Sequence, residues 1–578
     1  MSAINEDEDD DVKNQLLIKG QKDEEISSKK IKLLYGITIG GVLLLIIIVS
    51  IIVIYIGGKN KSEKNDTNAE PESENITNYI NAIYQVETEN MEYILFNEIF
   101  LDSISLLIMD NETINISNKY KFTDTIEHNL IIEFNKSLSS AKEMFKYCKI
   151  LKEIIFSKFE TRNLKDMSGM FYGCSSLSSL NLEFFNTNKV TDMSYLFYGC
   201  SSLNNIIINN FDTLNVLDMK YMFSECSTIT SLDLKNFNTQ KVKEIKYIFS
   251  GCQKLESLEL GKNFVISGIS DLSGLFNNCN SLTKINFINL DTSQTIDMSN
   301  MFKRCVKLTS IDLSKFNTSK VANISGMFSS CFELESIDLS KFDTSNVEDM
   351  HDLFSTCSKL KEINLKNFKT SKVKNMGSMF YNCISLESLD LSSFDTSQVI
   401  TMSSMFDMCS LKNLDLSNFN TSNVIDMSFI FAGCKELISI NLSSFNTKKV
   451  LSLKNMFFGD ESLININLST FDTSNVNSIE YMFSGCKALF NLDLSNFDTS
   501  RVTSLVGFFD HCSNLTYIDI SNFSSQSLID KDYYNFFLDK TPNGTVLYDS
   551  NLFSQDLINT LFDDWEKLDI NNNKDLFF

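Results

Sequence analysis

Cysteine returns along this chain at a nearly fixed interval, and no other feature limits the fold as tightly. The fourteen cysteines stand at positions 148, 174, 200, 226, 252, 279, 305, 331, 357, 383, 409, 434, 486 and 512. The interval is 26 residues, apart from one of 27, one of 25 and a double step in which Asp460, within F-F-G-D-E-S-L, holds the intermediate place. A period of this length means one supersecondary unit repeated and stacked, because a unit so short cannot bury its apolar face alone. The chain therefore reads as a solenoid.

The copy from Cys331 to Thr356 is C-F-E-L-E-S-I-D-L-S-K-F-D-T-S-N-V-E-D-M-H-D-L-F-S-T. Its L-x-x-I-x-L core (Leu334, Ile337, Leu339) predicts a short strand, with Ile337 and Leu339 facing one way and Asp338 the other. The D-T-S cluster after Phe342 is turn chemistry, and Ser345 with Glu348 fits a capping box. Val347, Met350, Leu353, Phe354 and Cys357 then share one face of a 3.6-residue period, which predicts a helix of about three turns. Each rung is expected to run strand, turn, short helix, return. The fold class is thus α/β, a leucine-rich-repeat solenoid of about fifteen rungs. At roughly 4.8 Å per rung such a body is about 70 Å long and offers an extended surface rather than a pocket.

Across the copies, the motif M-F-x-x-C-x-x-L-x-x-[LI]-[DN]-L-S-x-F-[DN]-T-S-x-V resembles the BspA-like leucine-rich repeats of bacterial and protist surface proteins, over roughly residues 141–523. The resemblance implies a solenoid on a cell-surface protein linked to adhesion to host matrix, host cells or other microbes. It implies no catalytic residues.

The formal charge of −23 over 578 residues argues against nucleic acid as a partner, since phosphate neutralisation needs a basic surface. Pro71 and Pro542, the two prolines, lie outside the repeats, where they remove no ladder donor. Residues 1–32 read as a solvated acidic tail, with Leu16-Leu17 as a sorting signal the other reading. Leu33 to Ile56 carries no charge and is long enough to cross a bilayer. It starts too late and runs too long for a cleaved signal core. Lys19, Lys22, Lys29, Lys30 and Lys32 before it, against Lys59, Lys61 and Lys64 after it, place the N-terminus inside. The expectation is a single-pass type II plasma-membrane protein with a cytoplasmic tail and extracellular repeats. Residues 57–77 read as a flexible stalk and 78–140 as a small β module capping the first rung, with partner binding by that module the other reading. Residues 524–578 read as a closing cap, with a helix opened by Ser554 that turns Leu557, Ile558, Leu561 and Phe562 to one side and Trp565 as packing.

Fourteen exported cysteines invite disulfides, but one repeated inward position sets neighbouring Cβ atoms parallel and about one rung apart, too far to bridge. They are expected free and buried. A straight ladder cannot supply four tetrahedral zinc ligands either.

The residue between the two strand apolars forms a second ladder: Asp233, Asp312, Asp338, Asp390, Asp415, Asp493 and Asp519, interspersed with Asn181, Asn286, Asn364, Asn441 and Asn467. Adjacent carboxylates one rung apart should repel, which costs stability or raises their pKa values unless cations or lysines intervene. This face reads either as a ligand-facing surface for Ca²⁺ or a basic partner, or as a solvated polar face. Acceptor-type N-x-S/T triplets begin at Asn65, Asn75, Asn111, Asn115 and Asn135 and recur at Asn317, Asn323, Asn420, Asn514 and Asn543, and read either as glycosylation sites or as chance in an Asn- and Ser-rich chain. His128, His351 and His511 are the only histidines, and no catalytic signature appears. The chain reads as a non-enzymatic binding protein without cofactor, an adhesin for protein or glycan ligands. A recognition receptor signalling through an associated partner is the alternative.

Overall fold

The computed structural model describes residues 78–572, except 157, 286, 288–289, 529–537, 539–540 and 542. The tail, the Leu33–Ile56 segment and the stalk lie outside the described residues. Among the described residues no helix is long and apolar enough to cross a membrane.

Seven strands open the described chain: β1 (Asn78–Gln85), β2 (Glu92–Ile94), β3 (Ile104–Met109), β4 (Glu112–Ile114), β5 (Lys119–Lys121), β6 (Glu127–Phe134) and β7 (Leu151–Ile155). Five form an antiparallel sheet in the order β4-β3-β6-β1-β7, and β2 pairs with β5. Alternation along β1 buries Ile80, Ala82 and Tyr84. Strand β7 follows Cys148, so its pairing with β1 joins this module to the first rung.

From there the chain stacks. Short parallel strands pair each residue with the one 26 positions on, as in β8 (Ser179–Asn181) with β9 (Asn205–Ile207) and β10 (Ser231–Leu234) with β11 (Ser257–Leu260). The pair β12 (Ser336–Ile337) and β13 (Glu362–Ile363) repeats the register. Ile337 and Leu339 are buried and Asp338 is exposed, as alternation requires. A second line of single parallel bridges links the turn side of successive rungs, for example Asn323 to Asp349 and Asp349 to Asn375. The result is a β-solenoid of about 14 turns.

The segment expected to be helical is not a helix, and the α/β class is corrected on that ground. The amides of Met350, Asp352, Phe354 and Thr356 donate to the carbonyls of Asn375, Gly377, Met379 and Tyr381 in the next rung, at 3.0, 3.0, 2.9 and 2.6 Å. Those of Leu353, Ser355 and Cys357 close turns onto Met350, Asp352 and Phe354, at 3.2, 3.0 and 3.0 Å. Alternate amides thus serve the neighbouring rung and the local turn. Asp352 and Thr356 hold φ of +58° and +61°, the left-handed region that a right-handed helix cannot contain. The same two places recur in other rungs, as at Ser378 and Asn382 or Tyr481 and Gly485.

The capping box is corrected too. Asp343, not Ser345, supplies the acceptor, its Oδ1 taking the Ser345 amide at 3.1 Å, while Glu348 pairs with Lys374 at 2.7 Å. Between them lies a buried threonine clamp. Thr318 Oγ1 accepts from the Asp343 amide at 2.8 Å and donates to the Asp343 carbonyl at 3.0 Å. Thr344 does the same to Lys369. One hydroxyl therefore satisfies both polar groups of a residue in the next rung.

The interior is a set of columns. Phe328, Phe354, Phe380 and Phe406 stack at 5.8, 5.9 and 6.0 Å between centroids. All fourteen cysteines are free and buried. The Cys357 thiol donates to the Phe328 carbonyl of the previous rung at 3.1 Å. Burial pushes the thiols up, to about 12 at Cys305.

The parallel stack continues through β14 (Asn491–Asp493), β15 (Tyr517–Asp519), β16 (Thr545–Tyr548) and β17 (Glu566–Asp569). Helix α1 (Gln555–Leu561) lies between the last two, and the Ser554 hydroxyl accepts its Leu557 amide at 3.3 Å. Leu557, Ile558 and Leu561 are buried, and Trp565 packs edge-on against Phe562.

Candidate functional site

Stacking puts equivalent residues of successive rungs side by side, so the solvent-facing surface is a set of parallel columns. In the Asp/Asn column each side chain folds back on its own chain. Asp338 Oδ1 accepts the Ser340 amide at 2.9 Å, Asp312 that of Ser314 at 2.9 Å, and Asp390 that of Ser392 at 3.1 Å. Asp415, Asp493 and Asp519 do the same with Ser417, Ser495 and Ser521, and Asp233 with Lys235. Asn181, Asn364, Asn441 and Asn467 make the same bond, which explains why either residue serves: the turn needs an acceptor two residues before the amide. Asn286 lies outside the described residues.

The expected mutual repulsion does not govern this column. Hydrogen bonds from the following serine hold Asp312, Asp338, Asp390 and Asp415 below the usual carboxylate range. Asp519 is raised, first by burial and last by the charge of Asp493, its partner in the strand register. Among the described residues no three His, Cys, Asp or Glu side chains gather as a metal site.

A second column, two residues past the buried threonine, is one that reading the strand face alone misses. F-N-T-N-K-V at 185–190, F-D-T-L-N-V at 211–216 and F-N-T-Q-K-V at 237–242 alternate lysine with asparagine, a superperiod of two rungs. Lys189 donates to Asn163 at 3.3 Å, Lys241 to Asn215 at 2.8 Å and Lys320 to Gln294 at 2.6 Å. Lys372, Lys449 and Arg501 repeat the contact with Asn346, Asn423 and Asn475. The alternation keeps like charges two rungs apart.

Aromatic and apolar columns complete the surface. Tyr195, Tyr221 and Tyr247 stack at 4.9 and 5.1 Å, and the last ring lies over Gly274, where an added Cβ would come within 2.1 Å of it. Ile438, Ile464 and Phe490, in three successive rungs, are exposed, as is Phe184 beside Ile155. Exposed apolar side chains in register form a patch that isolated ones do not.

Of the acceptor triplets, Asn111 and Asn115 are exposed around β4, whereas Asn135 is exposed with its side-chain amide donating to the Asp102 carbonyl. Asn317, Asn323 and Asn420 are tied into turns through their Oδ1 atoms. Asn65 and Asn75 lie outside the described residues. His128 is held between Asp110 and Asp124 at 2.6 and 2.8 Å, and His511 sits beside Asp510. The three histidines are not brought together.

No curated protein is found to match the chain. A family model described as "Mycoplasma protein of unknown function, DUF285" matches residues 114–207, 136–260, 176–282, 256–362, 332–439 and 430–542, overlapping windows that follow the stack of rungs. With most of its length matched in this way, the chain belongs to the DUF285 family of repeat proteins.

Proposed function

We propose that this chain is a surface-displayed binding protein, an adhesin that engages protein or glycan ligands on other cells or matrix through the side of its solenoid. One observation carries the reading: equivalent exposed side chains stand in register over successive rungs, as with Ile438, Ile464 and Phe490. Such columns suit many weak contacts with an extended partner rather than one enclosed ligand. The BspA-like form of the repeat motif supports a place on the cell surface. In this reading Leu33–Ile56 anchors the chain in the plasma membrane, with the N-terminus cytoplasmic and the repeats outside. It assigns no catalytic residue, no cofactor and no nucleic-acid partner.

The test is display of the full-length chain on a heterologous cell. Antibody against the repeats should label intact cells, and those cells should bind host or prey surfaces saturably. Labelling only after permeabilisation would remove the surface reading. Labelled cells with no gain in binding would remove the adhesin.

A further inference from the structure

The shortest interval in the cysteine period, Cys409 to Cys434, lies beside a cavity of about 760 Å³. In an ordinary rung the amide three residues past the cysteine turns back to the cysteine carbonyl, as Leu386 does to Cys383 at 3.1 Å. Here a residue is missing, Leu411 follows only two places after Cys409, and the turn is lost. Gly433 and Gly459 line the cavity without side chains. Ile384, Met408 and Phe458 line it as exposed apolar groups.

Three carboxylates stand on this lining, Asp407, Glu436 and Glu461, and Asp407 is the buried one. Asp407 is only 6% exposed, its side chain bonds Ser404, and among the described residues no cation acts on it. Lys435 lines the same cavity, but its ammonium is drawn to Glu461 at 3.4 Å, and Glu461 also holds Lys487 at 2.8 Å. Burial lifts the Asp407 carboxyl to about 6. A buried carboxylate without a counter-charge costs folding free energy, a cost that a cation entering the cavity would offset.

We propose that this cavity is a socket for one arginine side chain of a protein partner. The stem would lie on Met408 and Ile384, the guanidinium plane on the Phe458 ring, and its donors on Asp407. Glu436 on the lining and the net charge of −23 favour approach of a basic segment. The socket deepens the protein-binding reading above and rests on it.

The probe is a short arginine-containing peptide and its citrulline counterpart, with fluorescence anisotropy on the purified full-length chain. Saturable binding of the arginine peptide is expected, weakened about tenfold or more by Asp407→Asn and by Phe458→Ala. Asp338→Asn, a carboxylate on the strand column, should leave it unchanged. Asp407→Asn removes a buried charge with a near-isostere and should fold, and Phe458→Ala alters an exposed side chain, so each checks the other. Equal binding of the citrulline peptide, equal binding by both cavity variants, or an equal loss in Asp338→Asn would each overturn the socket. Because a defined peptide and purified protein are used, such a failure leaves the cell-binding assay standing.

Discussion

Asp460 stands where the neighbouring rungs carry cysteine, and it is fully buried. Its Oδ1 accepts the Cys434 amide at 2.9 Å, while no hydrogen bond reaches Oδ2 from the described residues. The neighbouring thiols are donors: Cys486 gives its hydrogen to the Phe457 carbonyl, 29 residues back, at 3.1 Å. An ionised carboxylate can only accept, so only the protonated acid could offer a hydrogen from that position. Burial accordingly raises the Asp460 pKa well above its ordinary value. With the folded value above the unfolded one, the stability Asp460 contributes is complete below about pH 4 and is lost as pH rises through the folded value. Asp407 follows the same sign, its contribution lost between about pH 4 and the value of about 6. Asp460→Cys should therefore raise the denaturation midpoint at neutral pH, by the equivalent of about 1–3 kcal/mol, and flatten its fall from acid to neutral pH. Urea titrations at several pH values check this, and an unchanged pH dependence would count against the protonated form.

At the scale of the element, the turn region separates what spacing can say from what it cannot. Apolar residues at Met350, Leu353, Phe354 and Cys357 satisfy a helical period, yet tandem four-residue turns repeat at nearly the same interval. The distinguishing signal was in the sequence: Gly173, Gly199, Gly251, Gly433, Gly459 and Gly485 each precede the cysteine position directly, where a helix interior would disfavour them. Gly485 has φ of +79° and Thr356 of +61°. Gly485→Ala should destabilise by about 1–2 kcal/mol, and Thr356→Gly should stabilise by about 1 kcal/mol or less. A helix at this place predicts the opposite sign for both. Thermal melts of the two variants, with far-ultraviolet circular dichroism for helix content, decide between them.

For the whole molecule, stability is a sum over rungs and their interfaces. Rungs 331–356 and 357–382 exchange Glu333 with Lys359, Glu335 with Lys361 and Glu348 with Lys374, at 2.6, 3.1 and 2.7 Å. Deleting residues 331–382 removes both members of each pair and keeps the lysine and amide alternation. Deleting 331–356 alone strands three lysines and brings Lys320 beside Lys372. The single deletion should thus lower the midpoint more than the double one, and salt should narrow the gap. Equal midpoints at low salt would show that the two-rung pattern carries no energy. The period, the inward cysteines and the strand alternation were legible because each depends only on which residues recur and on the side-chain period of an extended chain. The handedness of the turns, the threonine clamps and the cavity at Asp407 were not. Each depends on which backbone groups a neighbouring rung offers, and that is settled only when the rungs are stacked.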